Sequence, residues 1–342
     1  MLQKNILCID CDPSEVESIR KNLVYHGEPF YTYSEISNGK RTGKVSEFKR
    51  YKSYFSVGWK MFKNRKNINA LIGWQQFHAL IFVFFCNLFK VKKTTKVVAL
   101  NFTYKEKKRF SKAYKYFMKK CLDPNYLDYL HVLSYEYADI ISKQFFFPRS
   151  KIIVTPFGID DCFDEYSKLG APEGYLPLSY ALALGRSNRD YQFLIDCWDN
   201  IDYPLVIISD TFEGTSNNKN IIIKRDVVGK DSYPWIVNCL IMLIPLEDPS
   251  ICSGDTVLLN AMACQKIVVV TSPSTLAEMY IKNEVNGYAI EKDKEIFTNK
   301  INKIIRSEDV VGKHARIDFL NNFSRAKFGS KISEILNREE NN

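Results

Sequence analysis

The chain is poor in anything that would take it across a membrane. Its longest strongly apolar stretch, Ala79–Phe89, has 11 residues, well short of the ~20 that a bilayer-spanning helix needs. The first residues hold one lysine and then a strand-like pattern. The long apolar core and small-residue cleavage site of a secretory leader are absent, so a cytoplasmic location is expected. Paired cysteines are also missing. Nine cysteines are scattered singly; Cys8 and Cys11 are the one close pair, and no second pair stands by to complete a metal site. They read as small buried hydrophobes in a reducing compartment. No Gly-x-Gly-x-x-Gly follows the first strand-like run, where the turn reads Cys11-Asp12-Pro13; this argues against a single-Rossmann dehydrogenase.

What is present is a globular balance, 46% hydrophobic and 25% charged, in 342 residues. That length suits two domains of roughly 150 residues each. The net charge of +9 is unevenly placed. Lys40–Lys66 holds ten basic residues and one acid, and Lys90–Lys120 holds twelve and one, so the rest of the chain is acidic on balance. Such asymmetry points to an anionic partner for the first half or, in the plainer reading, to a solvated basic face. A nucleic-acid partner would account for the lysines and for nothing else described below.

Short apolar runs recur with helical segments between them. Asn5–Asp10, Asn69–Gly73, Lys96–Leu100, Leu130–Ser134 and Lys151–Thr155 read as buried parallel strands. Helices are expected from Pro13 to about Tyr25, where Gly27 would end the first, and over Trp74–Leu88, Lys105–Leu122 and Tyr135–Lys143. Asp160–Pro177 is rich in Gly, Pro and charge and looks like a linker. The rhythm then restarts, with strands at Tyr180–Leu184, Leu205–Ser209, Asn220–Lys224, Leu240–Pro245, Ile267–Thr271 and Gly287–Ile290. Two βα series in succession imply an α/β protein of two Rossmann-like, doubly wound domains facing across a cleft. The expected division is 1–165, 166–318, and a C-terminal helix in 319–342 crossing back to the first domain. Ligands in such sheets bind beyond the strand C-termini.

Three segments there carry chemistry. Ser253-Gly254-Asp255-Thr256 is a small polar turn opening a helix, where backbone N–H groups and the helix dipole favour an anion. Gly254 permits close backbone approach, Ser253 and Thr256 can add hydroxyls, and Asn260 lies one turn beyond Thr256. The plainer reading is an ordinary capped helix. Gly185-Arg186-Ser187-Asn188-Arg189 ends a strand with a tight turn and two arginines. These suit a phosphate group, or simply surface salt bridges. In the first half, Trp74, Gln75, Gln76 and Asn101 follow strands, where amides can hydrogen-bond a polar ligand; His78, inside an apolar run, reads as a satisfied core residue.

The run Asn260-Ala261-Met262-Ala263, then Lys266 and Val268–Thr271, resembles the donor-site signature of GT-B glycosyltransferases, closest to the retaining group 1 type (glycosyltransferase family 4). Thr155-Pro156-Phe157-Gly158-Ile159-Asp160 resembles the turn at that family's domain junction. The resemblance implies that the helix start at 253–256 holds a donor diphosphate, that Gly185, Arg186 and Arg189 lie against it, and that the loop at Val227 passes the nucleobase. It also implies that Asn101 stands where the family often has a histidine near the sugar, and that Trp74, Gln75 and Gln76 face the acceptor. Both glutamates of the family's paired-Glu motif are absent: Cys252 and Asn260 take their places. Asparagine can still bond a ribose hydroxyl, without charge assistance. The implied function is metal-independent, retaining transfer from a nucleotide-sugar, preferably UDP-linked, to a glycan or lipid-linked acceptor of cell-surface polysaccharide synthesis, capsule or lipopolysaccharide. The basic faces then suggest a peripheral seat on the inner face of the plasma membrane, with no cofactor and no nucleic acid. The alternative is a GT-B-like accessory subunit that has lost catalysis with the two glutamates.

Overall fold

The computed structural model describes residues 4–35, 47–104, 106–107, 110–172, 179–307 and 310–338, with side chains of the second stretch described from residue 50. The polar tail beyond 338, part of the linker-like stretch and parts of both basic segments lie outside them. The chain forms two compact units: Met1–Thr155 with Ala326–Asn342, and Pro156–Arg325.

The first unit is built on seven strands: β1 Lys4–Cys8, β2 Val24–Tyr25, β3 Glu28–Tyr33, β4 Ile68–Gly73, β5 Lys96–Ala99, β6 Tyr129–Val132 and β7 Ile152–Val154. Their order is β2-β3-β1-β4-β5-β6-β7, parallel throughout except for the antiparallel β2–β3 pair. The order reverses between β1 and β4, so a crevice is expected beyond their C-terminal ends. Residues after these strands, Asp10 and Trp74-Gln75, lie there. The expected helix to Tyr25 is shorter: a 3-10 turn at Pro13–Val16 and a helix at Glu17–Lys21 give way to a hairpin. His26 and Gly27, at φ +51° and +78°, make its two-residue turn, so Gly27 closes β2 onto β3 rather than ending a helix.

The second unit has six parallel strands: β8 Ala181–Leu184, β9 Leu205–Ile208, β10 Ile221–Lys224, β11 Ile241–Ile244, β12 Ile267–Ser272 and β13 Tyr288–Glu291, in the order β10-β9-β8-β11-β12-β13. This is the 3-2-1-4-5-6 doubly wound order, with its switch point between β8 and β11. Both strands are nearly all aliphatic and buried apart from the partly buried Leu184, as a sheet covered on both faces requires. Helices Lys294–Arg306 and Val311–Asp318, to which the sequence reading assigned nothing, add Phe297, Ile301, Ile304 and Ala315 to the unit's cores.

The division falls at Thr155/Pro156 rather than 165/166, because residues after it already pack on the second unit. Ile159 and Tyr166 join its core, and Gly158 lies so close to the Ser324 carbonyl that a Cβ would sit 2.7 Å from it. The C-terminal helix is Arg325–Asn337, and from Ala326 onward it belongs to the first unit. Phe328 meets Trp74 and His131 edge-on, and Ser333 Oγ accepts from Val24 N at 2.8 Å.

Candidate active site

In the second unit the loops after β8 and β11 are stitched together at the switch point. Asn188, held at φ +56°, donates from Nδ2 to the Asp248 carbonyl at 2.9 Å and accepts from Asp248 N at 2.7 Å. Asp190 N donates to the Pro245 carbonyl at 3.1 Å, while the Asp190 carboxylate accepts from Phe193 N and caps helix Tyr191–Cys197. This folds the Arg189 side chain back over its own loop. Its Nη1 donates to the carbonyls of Ser187 and Asn188, at 3.0 and 3.2 Å.

The guanidinium lies in a slot between two glycines. A Cβ on Gly254 would stand 2.4 Å from Arg189 Nη2, and one on Gly185 would stand 3.0 Å from Nε. Both glycines have positive φ, +103° and +141°, which glycine alone adopts cheaply. Gly254 is the N-cap of helix Asp255–Ala263, so a cation has been placed at the positive end of a helix, where the dipole opposes it. Burial holds the Arg189 pKa below the usual arginine value, and Nε is buried without a hydrogen-bond partner. Burial likewise pushes the Asp255 carboxyl up, offset by the amides at its own helix start and by Arg189. Ser253 Oγ reaches the Ser187 carbonyl at 3.5 Å. An arginine with an unpartnered Nε, set at a helix start, is an arrangement that suits an anion.

The geometry separates the two arginines. Arg186 is exposed and pairs through Nε and Nη2 with the two carboxylate oxygens of Asp210, the Nε contact being 2.8 Å. Thr256 at the helix start is exposed. Val227 packs its side chain against the unit's core, leaving only its backbone for a ligand. Asn260 is partly buried, and its Oδ1 lies 3.6 Å from Cys162 Sγ. The Cys162 thiol is pushed up, first by its contact with Cys264 and then by burial.

In the first unit a cavity of about 450 Å³ opens at the β1–β4 switch point, and Trp74, Gln75, Gln76 and Asn101 all line it. Their roles differ. Gln76 spends both ends of its amide on the Thr103 backbone, Nε2 to the carbonyl at 2.8 Å and Oε1 from N at 3.1 Å, so it shapes the wall rather than offering groups to a ligand. Gln75 Oε1 accepts from Asp10 N at 3.0 Å. Asn101, at φ +55°, donates from Nδ2 to the Trp74 carbonyl at 3.3 Å, while its buried Oδ1 has no partner. Its backbone is held by His131, whose Nδ1 accepts from Asn101 N at 3.2 Å. The other ring nitrogen must then carry the proton that it donates to the Thr155 carbonyl at 3.0 Å. Burial lowers the His131 pKa to about 4, so the ring is neutral at physiological pH. Core residue His78 is lowered to about 4 for the same reason, yet its Nδ1 is unpartnered, so "satisfied" does not describe it.

Sequence reasoning missed the group beneath the cavity. Buried Asp10 accepts from Arg50 Nη2 at 2.9 Å and from Tyr54 OH at 2.7 Å, both on Oδ2. Arg50 and Tyr54 stand one turn apart on helix Glu47–Lys63, and that i, i+4 pair was the available signal. It lies in a basic, aromatic stretch where charge dominates the reading.

The two doubly wound sheets, each with its own switch point, define a two-domain, Rossmann-like GT-B fold. Residues 180–307, within the second unit, match the family model described as "Glycosyl transferases group 1". No curated protein sequence matches it significantly. Among solved structures, it is similar to a glycosyltransferase from Rickettsia africae ESF-5 (TM-score 0.62, 14% identity, 98% of each chain covered). It is also similar to Anabaena Alr3699/HepE in complex with UDP and glucose (0.65, 13%, 98% of this chain and 99% of that one). A third likeness is to WaaG, a glycosyltransferase involved in lipopolysaccharide biosynthesis (0.59, 13%, 97% and 99%). At these identities the likeness is one of fold.

Proposed function

We propose that the protein moves a sugar from a UDP-sugar, bound by the second unit, to a glycan or lipid-linked glycan held by the first, in the synthesis of a cell-surface polysaccharide. The observation that carries this is the partly buried Arg189 guanidinium, its Nε without a partner, between Gly185 and Gly254 at the start of helix Asp255–Ala263. A cation desolvated against the helix dipole is costly until an anion arrives, and a diphosphate leaving group supplies one. Arginine and helix start together provide the positive charge that a metal supplies elsewhere, so transfer is expected without one. UDP is favoured by HepE, whose structures hold UDP, glucose and UDP-glucose. Asn260 serves the ribose through hydrogen bonds alone, and the backbone at Val227 serves the base. Transfer proceeds with retention, the diphosphate leaving on the face that the acceptor attacks.

Calorimetric titration in EDTA with UDP, GDP, ADP and CMP tests the donor side. UDP is expected to bind at least about tenfold tighter than the others. Binding of none would return the reading to a GT-B-like accessory subunit, and an inverted anomeric product by NMR would overturn retention.

The acceptor side carries a basic, aromatic surface suited to an anionic membrane face. On helix Ser111–Cys121, Lys112, Lys115 and Lys119 are exposed, beside Tyr116 and the preceding Phe110, which is 84% exposed. Among the described residues no helix is long and apolar enough to cross a membrane. We therefore place the protein peripherally on the inner face of the plasma membrane. Each lysine near an anionic surface contributes about 1 kcal/mol. Replacing the three by alanine should lower binding to phosphatidylglycerol vesicles at least about tenfold. Equal binding to phosphatidylcholine vesicles would count against this seat.

A further inference from the structure

The cavity of the first unit differs from a plain sugar pocket in what charge it presents. Among the described residues its one charged lining residue is Arg50; the remaining described wall is aromatic, amide and hydroxyl. Tyr51, Tyr54 and Phe77 form a continuous ring surface, with Phe77 5.4 Å from Tyr51 edge-on and 5.8 Å from Tyr54 stacked. Ring faces of this kind suit the C–H face of a sugar.

Resting on the reading of this unit as the acceptor side, we propose that the acceptor sugar carries an anionic group, a carboxylate or a phosphate, and that Arg50, fixed in place by Asp10, is the residue that reads it. A guanidinium has five N–H donors. Arg50 spends Nη2 on Asp10, and its side chain is half-exposed at the cavity. The pairing offsets part of the charge, but it holds at the cavity a planar fork that matches the oxygen pair of a carboxylate or phosphate. Lys107 reinforces the sign, its ammonium 5.9 Å from the Tyr51 ring. Asp10 Oδ2 accepts from Arg50 and Tyr54, and its backbone N–H holds Gln75, so one buried residue orients three of the lining groups. Asp10 is a positioning residue and Arg50 the specificity-determining one.

Ligand-observed NMR titrations of the full chain, saturated with UDP to occupy the second unit, test this with glucose, glucuronate and glucose 6-phosphate. At least one anionic sugar is expected to bind about tenfold or more tighter than glucose, and the two anionic arms tell carboxylate from phosphate. Arg50→Gln should erase that preference while leaving glucose binding in place. Arg50→Lys, which keeps the charge and loses the fork, should retain only a minor part of it. Equal binding of the three sugars, binding of none, or an anionic preference that survives Arg50→Gln overturns the proposal. UDP affinity, measured in the same samples, shows independently whether the donor reading stands.

Discussion

Arg189→Met is expected to lower kcat/KM for the nucleotide-sugar by about 10²–10³-fold, the usual consequence of removing one group that stabilises a developing oxyanion, while the unliganded protein melts at the same temperature or higher. The second half of this expectation separates a ligand-binding role from a structural one. Arg189 is desolvated, its Nε is unpartnered, and it faces the positive end of helix Asp255–Ala263. A buried ion in that position opposes folding, and a well-packed apolar side chain of similar length relieves the cost. Asp255, left without its cation, still has the amides of its own helix start. Thermal melting with and without UDP checks both halves together. Turnover near wild type would show that the slot is not the diphosphate site. A lower melting temperature in proportion to lost activity would make Arg189 a structural residue.

Much of the fold was legible because parallel strands buried on both faces are continuous aliphatic runs, as in Leu205–Ile208 and Ile241–Ile244, and such runs stand out against any background. The β2–β3 hairpin was not, since Glu28–Tyr33 is an edge-side strand with Pro29 and a single fully buried residue, and Gly27 serves a helix end as readily as a hairpin turn. The site divides in the same way. That Gly185, Gly254 and the two arginines stand at strand ends was legible, because residue type and the position of the aliphatic runs suffice for that. Which arginine is buried was not. The answer depends on Asn188 turning the loop through positive φ and on two side-chain bonds to Asp248, sixty residues away. Asp10 and Arg50 illustrate the same limit across forty residues. Spacing along the chain reports a helix face or a strand end; it does not report which loops a switch point brings together.

The slot also makes a prediction about a residue with no side chain. Gly254→Ala places a methyl 2.4 Å from Arg189 Nη2 and 3.2 Å from Ile244 Cγ2, at a φ of +103° that alanine adopts at a cost of about 1–2 kcal/mol. The nearest clash is with the far end of a flexible side chain, not with backbone, so the chain folds and the guanidinium is displaced. The expected result is a melting temperature lower by only a few degrees and a UDP affinity reduced about 100-fold, close to that of Arg189→Met. Because both substitutions remove the same interaction, their effects should not add: the double variant Arg189→Met/Gly254→Ala should bind UDP no more weakly than the worse single variant. Additive losses would mean that Gly254 acts by letting the ligand approach its own amide, independently of Arg189. The helix start would then be the dominant anion contact and the arginine secondary to it.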